Sequence, residues 1–121
     1  MQKSTQNHDL QVRTKHLALR IMTLYTALPK TTIADVLGKQ VLRSGTSVGA
    51  QFREACRARS RAEFVSKLNS SLQELDETGY WLELLVEGKI VKETKLSLLI
   101  QEVEELTAIF VKSIKTAKYT S

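Results

Sequence analysis

The sequence predicts an all-α protein built as an antiparallel, up-down-up-down four-helix bundle. Apolar residues recur at spacings of three and four in four separate segments, which is the period of a helix with one buried face. The chain has one Pro and five Gly among 121 residues, so few positions favour turns. Short connections between long helices make sequential helices antiparallel neighbours. A chain of this length is expected to form a single domain over residues 1–121.

The first helix is predicted from about Asp9 to Leu28, and Pro29 ends it because its ring cannot continue a helix. Its apolar face comprises Leu10, Leu17, Ile21, Leu24 and Leu28. Residues 1–8 show no such face and are expected to be flexible.

The second helix is predicted to begin near Thr31 or Thr32, either of which can act as its N-cap, and to end near Ala58. Its apolar face is predicted to contain Ile33, Leu37, Val41, Ser44, Val48, Phe52 and Ala55.

Three glycines lie within this second helix, at Gly38, Gly45 and Gly49. Each lowers helix propensity by about 0.8–1 kcal/mol relative to Ala, so a compensating reason is expected. We predict that a neighbouring helix approaches closely along residues 45–50, where larger side chains would hold the two axes apart.

The third helix is predicted to start after Ser60 and to end at Glu87, before Gly88. Ser60 and Glu63 have the spacing of a capping box, in which each side chain bonds a backbone amide near the other residue. Its apolar face is predicted to contain Phe64, Leu68, Leu72, Leu75, Gly79, Leu82 and Val86.

The fourth helix is predicted from Glu93 or Thr94 to Lys118. Its apolar face contains Leu96, Leu99, Val103, Leu106, Phe110 and Ala117. Lysines at its C-terminal end complement the negative end of the helix dipole. Helices two to four should each be about 40 Å long at 1.5 Å per residue.

Charge is segregated along the chain. Seven cations and two acids lie between Lys39 and Lys67, whereas nine acids and three lysines lie between Glu74 and Glu105. Arginine suits phosphate because its planar guanidinium donates two parallel hydrogen bonds. The residues predicted to bind nucleic acid are Arg53, Arg57, Arg59, Arg61 and Lys67. The alternative is that these cations pair with the acidic third and fourth helices, within or between subunits. Few aromatic residues accompany the cluster, which argues against a platform for stacking single-stranded bases.

A structural polar network is predicted between the second and third helices, where Glu74 and Glu77 accept hydrogen bonds from Arg43, Ser44 or Ser47. The alternative, a metal site, is not favoured because the Glu-x-x-His pairs of di-iron bundles are absent. No metal, cofactor or catalytic residue is expected, since no nucleophile–base set or glycine-rich phosphate loop is visible.

The end of the third helix is apolar around much of its circumference, so it should bury more than one face. We predict an oligomer interface there, with a ligand pocket as the alternative; its residues are Tyr80, Trp81, Leu84 and Leu85. Cys56 is expected to be inert, although nearby arginines would lower its pKa if the thiol were exposed.

The residues from Leu42 to Gln51, Arg53-Glu54-Ala55, Phe64-Val65-x-Lys67-Leu68 and the segment from Leu72 to Leu85 resemble the S23 family. These four-helix-bundle proteins are encoded in intervening sequences of bacterial 23S rRNA genes and have relatives elsewhere in bacterial genomes. The resemblance runs from about Leu17 to Phe110.

Membership of that family implies a ring-like homopentamer without known catalytic residues. The chain is also similar to the basic, pentameric accessory proteins of diversity-generating retroelements, which associate with a reverse transcriptase and bind nucleic acid. Gln51 replaces the Asn that is usual in the family.

Net charge and cysteine content limit the function classes. A charge of +5 and a pI near 9.5 favour acidic partners such as RNA or DNA. One cysteine permits no internal disulfide, and neither a secretory signal nor a membrane span is visible, so a cytoplasmic protein that does not contact membranes is expected. The first hypothesis is a non-enzymatic homo-oligomer that binds nucleic acid. The second is an oligomeric scaffold that binds another protein and never contacts nucleic acid.

Overall fold

The structure, a computed structural model, describes residues 2–119, with side chains from residue 5 onward. It contains four helices: α1 (Gln2–Ala27), α2 (Thr32–Cys56), α3 (Arg61–Glu87) and α4 (Glu93–Tyr119). Each helix packs against the next one in the chain, and the contact between α1 and α4 is the sparsest. The predicted all-α, antiparallel four-helix bundle is confirmed.

Side-chain caps set the starts of α2 and α3. The Thr31 hydroxyl accepts from the Ala34 amide at 3.2 Å, and the Ser60 hydroxyl accepts from the Glu63 amide at 3.1 Å. The Glu63 carboxylate accepts from the Arg59 amide at 2.7 Å, one residue before the position that a capping box predicts. Helix α2 ends at Cys56, slightly before the predicted Ala58.

Helix α3 ends in a Schellman motif, in which two amides beyond the helix bond back to its last carbonyls. Lys89 N donates to Val86 O at 3.0 Å, and Ile90 N donates to Leu85 O at 3.0 Å. Gly88 caps the helix as predicted, but its φ is −77°, and the left-handed residue is Lys89, with φ of 60°. A lysine therefore occupies the position that helices usually give to glycine.

Helix α1 begins at Gln2, well before the predicted start near Asp9. The residues before Leu10 have no buried apolar side chain among those described, so the hydrophobic pattern carried no sign of these turns. Once a helix is nucleated, each further residue adds a hydrogen bond at little cost, so the helix extends beyond the core. Whether residues 1–8 are flexible stays a prediction.

The buried faces of α2 and α3 are rotated slightly from the predicted stripes. Ala34 is fully buried whereas Ile33 is 65% exposed. On α3 the buried face includes two hydroxyl residues, Ser71 and Thr78, which an apolar pattern does not reveal. Burying a hydroxyl is tolerated only when it is hydrogen-bonded. Ser71 donates to Val48 O at 2.7 Å, and Thr78 donates to Glu74 O at 2.7 Å.

The predicted close approach along α2 is found, and the neighbour at the glycines is α1. A Cβ added at Gly38 would lie 2.6 Å from Leu28 Cδ1, and one added at Gly45 would collide with Ile21 Cδ1. At Gly49 the nearest atom would be Thr14 Oγ1 at 3.2 Å. The glycines therefore allow α1 and α2 to pack more closely than alanines would.

Candidate nucleic-acid interface at one end of the bundle

The ends of α2 and α4 lie at the same end of the bundle as the starts of α1 and α3. The rings of Phe52 and Phe110, near the C-termini of α2 and α4, stack with centroids 5.3 Å apart. We call this end of the molecule the basic end; its cations are Arg53, Arg57, Arg59, Arg61, Lys112, Lys115 and Lys118.

Three of the predicted nucleic-acid-binding residues are free of protein partners. Arg53, Arg57 and Arg59 are exposed, and their guanidinium groups make no hydrogen bond or ion pair with the residues that the structure describes. Within one chain, these three do not pair with the acidic helices. Arg61 is also exposed and lies in the first turn of α3.

Lys67 differs from these arginines because it is already paired. Its ammonium donates to the Glu54 carboxylate at 2.9 Å, joining α3 to α2. This hydrogen bond raises the pKa of Lys67. Glu54 therefore offsets the charge that Lys67 would offer to a phosphate.

The paired arginines lie further along the bundle. Arg13 donates to Glu102 at 2.6 Å and to Glu105 at 3.1 Å, which joins α1 to α4 across their sparse contact. Arg43 donates to Glu77 at 2.6 Å. These carboxylates of α3 and α4 are thus paired with cations away from the basic end.

Lys112, Lys115 and Lys118 are exposed at the basic end, although they were not among the residues predicted to bind nucleic acid. The sequence indicated for them only a favourable interaction with the negative end of the α4 dipole. The sequence contained a sign of this, because neither Asp nor Glu follows Glu105. Only the packing order of the helices shows that these lysines share an end with the α2–α3 turn.

The predicted polar network joins α2 to α3 through the Arg43–Glu77 bond and a longer contact from Arg43 to Glu74 at 3.5 Å. Gln51 Nε2 donates to Glu74 at 3.3 Å, so the amide that replaces the family's usual Asn still reaches the facing helix. Ser47 does not join the carboxylates, because its hydroxyl donates to the Arg43 carbonyl of its own helix at 2.7 Å.

Ser44 likewise bonds no carboxylate. Its hydroxyl donates to Gln40 O at 3.0 Å, and the Thr78 hydroxyl, which donates to Glu74 O, lies 3.0 Å from it. The contact between α2 and α3 therefore has a buried layer of hydroxyls beneath its exposed ion pairs.

The four residues of the predicted oligomer interface are divided between surface and core. Tyr80 is 53% exposed, and Trp81 and Leu84 are half-buried. Leu85 is fully buried, because it lies on the same α3 face as Leu82, so its side chain has no surface for a partner. Trp81 Nε1 is buried with no hydrogen-bond acceptor among the described residues.

An open groove of about 810 Å³ lies between the start of α2 and the end of α3. Its apolar lining includes Ile33, Leu37, Leu84 and Ile90. The apolar surface at this end of the bundle is therefore wider than the four residues predicted from the sequence.

The Cys56 thiol is half-buried at the end of α2. Burial raises its pKa, and a hydrogen bond with the Gln11 side chain lowers it by less. The nearby arginines therefore do not activate the thiol, contrary to the alternative that its sequence neighbours suggested. Within residues 5–119, no group of three or more His, Cys, Asp or Glu side chains is arranged to hold a metal ion.

Across α1 to α4, no stretch combines the length and apolar character that spanning a bilayer requires.

Comparison with known proteins identifies the family. The family model described as 23S rRNA-intervening sequence protein matches residues 6–112. A crystal structure of a protein of unknown function from the S23 ribosomal protein family of Bacteroides thetaiotaomicron is similar, with a TM-score of 0.85. The two sequences are 38% identical, and the match covers 91% of this chain and 98% of that chain. No curated protein matches. The expected family is confirmed: the chain belongs to the 23S rRNA-intervening sequence protein family.

Proposed function

We propose that this protein is a non-enzymatic homo-oligomer that binds nucleic acid, with RNA as the first ligand, through its basic end. The observation that carries the proposal is the set of three exposed guanidinium groups of Arg53, Arg57 and Arg59, which have no partner among the residues that the structure describes. A guanidinium without a protein acceptor can bind phosphate without first breaking an ion pair. The family description, which names 23S rRNA, favours RNA over DNA for the first test.

Oligomer formation would strengthen this binding. In a ring, each subunit would present the same basic end on one rim, so several weak phosphate contacts would act together. Exposed apolar side chains, including Tyr80 at 53% and Ile33 at 65%, support contacts between subunits. We propose a homopentamer, for which light scattering should give five times the chain mass of 13.6 kDa. A mass of one or two chains would contradict it.

The experiment is fluorescence anisotropy of a labelled structured RNA at several salt concentrations. The double variant Arg57→Ala/Arg59→Ala is informative because the neighbouring caps use the backbone amides of these residues, not their side chains. Loss of two phosphate contacts should make the negative slope of log K against log salt shallower by about 1.4–1.8 for each subunit that contacts the RNA. The matched control is Lys92→Ala/Lys95→Ala, which removes two exposed cations at the opposite end and should leave the slope unchanged.

Two results would end the nucleic-acid proposal. One is absence of RNA binding by the wild-type oligomer at low salt. The other is equal binding by the Arg57→Ala/Arg59→Ala variant and the wild type.

The second candidate function is a protein-binding scaffold, which the apolar groove beside Ile33 and Leu84 supports. It predicts a specific protein partner whose binding survives nuclease treatment and is lost on Ile33→Glu. Binding that disappears with nuclease would instead show that nucleic acid mediates the interaction.

A further inference from the structure

The last turn of α4 lies beside the first turn of α3. Gly79 on α3 faces α4, since a Cβ added there would lie 3.6 Å from Val103 Cγ1. Antiparallel helices rise by the same 1.5 Å or so per residue, so equal steps from this contact stay level. Counting back from Gly79 to Glu63, in the first turn of α3, and forward equally from Val103 reaches Tyr119, in the last turn of α4. The C-terminus of α4 therefore extends the surface formed by the basic α2–α3 turn.

The end of α4 carries cations without acids. Lys112, Lys115 and Lys118 are spaced by three residues, and all are exposed. Residues three apart are neighbours on a helix surface, so the three ammonium groups form one stripe. Neither Asp nor Glu follows Glu105 in the sequence.

Tyr119 adds an aromatic ring to this stripe. Its side chain is 85% exposed, the largest exposure among the large hydrophobic residues that the structure describes. It lies four residues after Lys115, the spacing at which helical side chains meet, and it directly follows Lys118 in the last turn of the helix. An accessible ring within about one turn of two ammonium groups combines a stacking surface for a base with charges for the adjoining phosphates.

We infer that the last turns of α4 bind unpaired nucleotides, with Tyr119 stacking on a base and Lys115 and Lys118 holding the flanking phosphates. This inference rests on the proposed function and specifies which nucleic acid the basic end prefers. Bases in an A-form duplex are stacked on one another, so their faces are not accessible to an aromatic side chain. Bases in loops and single strands have accessible faces on which such a ring can stack. The aromatic residue that sequence reasoning did not find near Arg57 is thus supplied by a distant helix.

A purely structural role for the lysines has a different consequence. Lys118 lies in the last turn of α4, where a cation complements the helix dipole. That role involves no aromatic ring and does not discriminate between paired and unpaired RNA, so the Tyr119 variants separate the two explanations.

The test measures anisotropy with two labelled RNAs, a short oligouridylate and a blunt-ended duplex without a loop that has the same number of phosphates. Tyr119→Ala should weaken oligouridylate binding by about 5-fold or more, from the lost stacking, and should change duplex binding little. Tyr119→Phe keeps the ring and should bind as the wild type does. Lys115→Ala/Lys118→Ala should weaken binding to both RNAs, because both contain phosphates. The exposure of Tyr119 means that its removal leaves the core intact, which circular dichroism would verify.

Failure of this inference can be told apart from failure of the proposed function. If the wild type binds neither RNA, the proposed function is wrong. If it binds RNA but Tyr119→Ala matches the wild type on oligouridylate, base stacking by α4 is refuted while the basic end stands. Equal losses for Tyr119→Phe and Tyr119→Ala would also refute stacking, because the ring would then not be the group that binds.

Discussion

Replacing Gly45 with alanine tests whether the glycines of α2 are required for close packing. A Cβ at this position would collide with Ile21 Cδ1 of α1, and Ile21 is fully buried. In an open helix, the same change would stabilise the protein by about 0.8–1 kcal/mol through helix propensity. Here the added methyl must push a core side chain out of its place.

The magnitude follows from two opposing terms. Inserting a methyl group into a well-packed core costs about 1–3 kcal/mol, which exceeds the gain in propensity. We therefore expect Gly45→Ala to lower the free energy of unfolding by about 1–2 kcal/mol. The melting temperature should then fall by about 3–5 °C per kcal/mol for a domain of this size.

A second substitution tests whether Ile21 Cδ1 is the atom that makes Gly45→Ala destabilising. Ile21→Val deletes Cδ1 and should by itself cost about 0.5–1.5 kcal/mol. In the Ile21→Val background the new Cβ has space near the vacated position, although Ile21 Cγ2, at 3.2 Å, stays close. Gly45→Ala should then be neutral or stabilising by up to about 1 kcal/mol. Gly45→Ala should thus destabilise the wild type but not the Ile21→Val variant. Urea unfolding of the wild type, the two single variants and the double variant measures this difference.

Gly79→Ala is the matched control within the same bundle. The added Cβ would meet only Val103 Cγ1 at 3.6 Å, an ordinary van der Waals distance. It should therefore stabilise the protein by about 0.8–1 kcal/mol. Gly45→Ala that stabilises the wild type, or that has the same effect in both backgrounds, would refute the packing argument.

Three further predictions concern other sites. Lys89→Gly should raise the free energy of unfolding by about 0.5–1 kcal/mol, because it relieves a left-handed residue at φ of 60°; an unchanged urea midpoint would contradict this. Burial raises the pKa of Cys56, so iodoacetamide should modify the native thiol more slowly at pH 7 than the unfolded one, and equal rates would be inconsistent with the structure. The Tyr25 hydroxyl and Lys39 lower the pKa of Asp35 below 3.8, so these contacts stabilise the fold above that value and lose their effect as pH falls through the lower folded-state pKa. Tyr25→Phe should accordingly lower the urea midpoint at pH 7, and the deficit should shrink at pH below 3.8; a deficit that grows on acidification would disprove the assignment.

The regular features of the fold were predictable because they depend on short-range pattern. Apolar spacing located four helices, and Thr31, Ser60 and Gly88 marked their ends through local backbone chemistry. Positions decided by contacts with another helix were less predictable. Ser71 and Thr78 are polar yet buried, because their hydroxyls donate to backbone carbonyls. The acceptor of Ser71 is Val48 O on α2, which comes within reach only when the two helices pack.

The candidate site was predictable only in part for the same reason. The basic turn was visible because Arg57 and Arg59 are adjacent in sequence to a helix boundary. That Lys67 is neutralised by Glu54 depends on the register of two helices. That Tyr119 lies at the end of the bundle that holds Arg57 depends on the order in which all four helices pack.

The sequence by itself determined the number of helices, the capped starts of α2 and α3 and the approximate position of the buried faces, since hydrophobic period and capping act over a few residues. It also determined where charge accumulates along the chain. The tertiary structure alone decided which charges are paired, which glycines face a neighbouring helix, and which distant residues share the basic end. Ion pairs, steric contacts and composite surfaces depend on distances between segments, and those distances are set only when the helices pack.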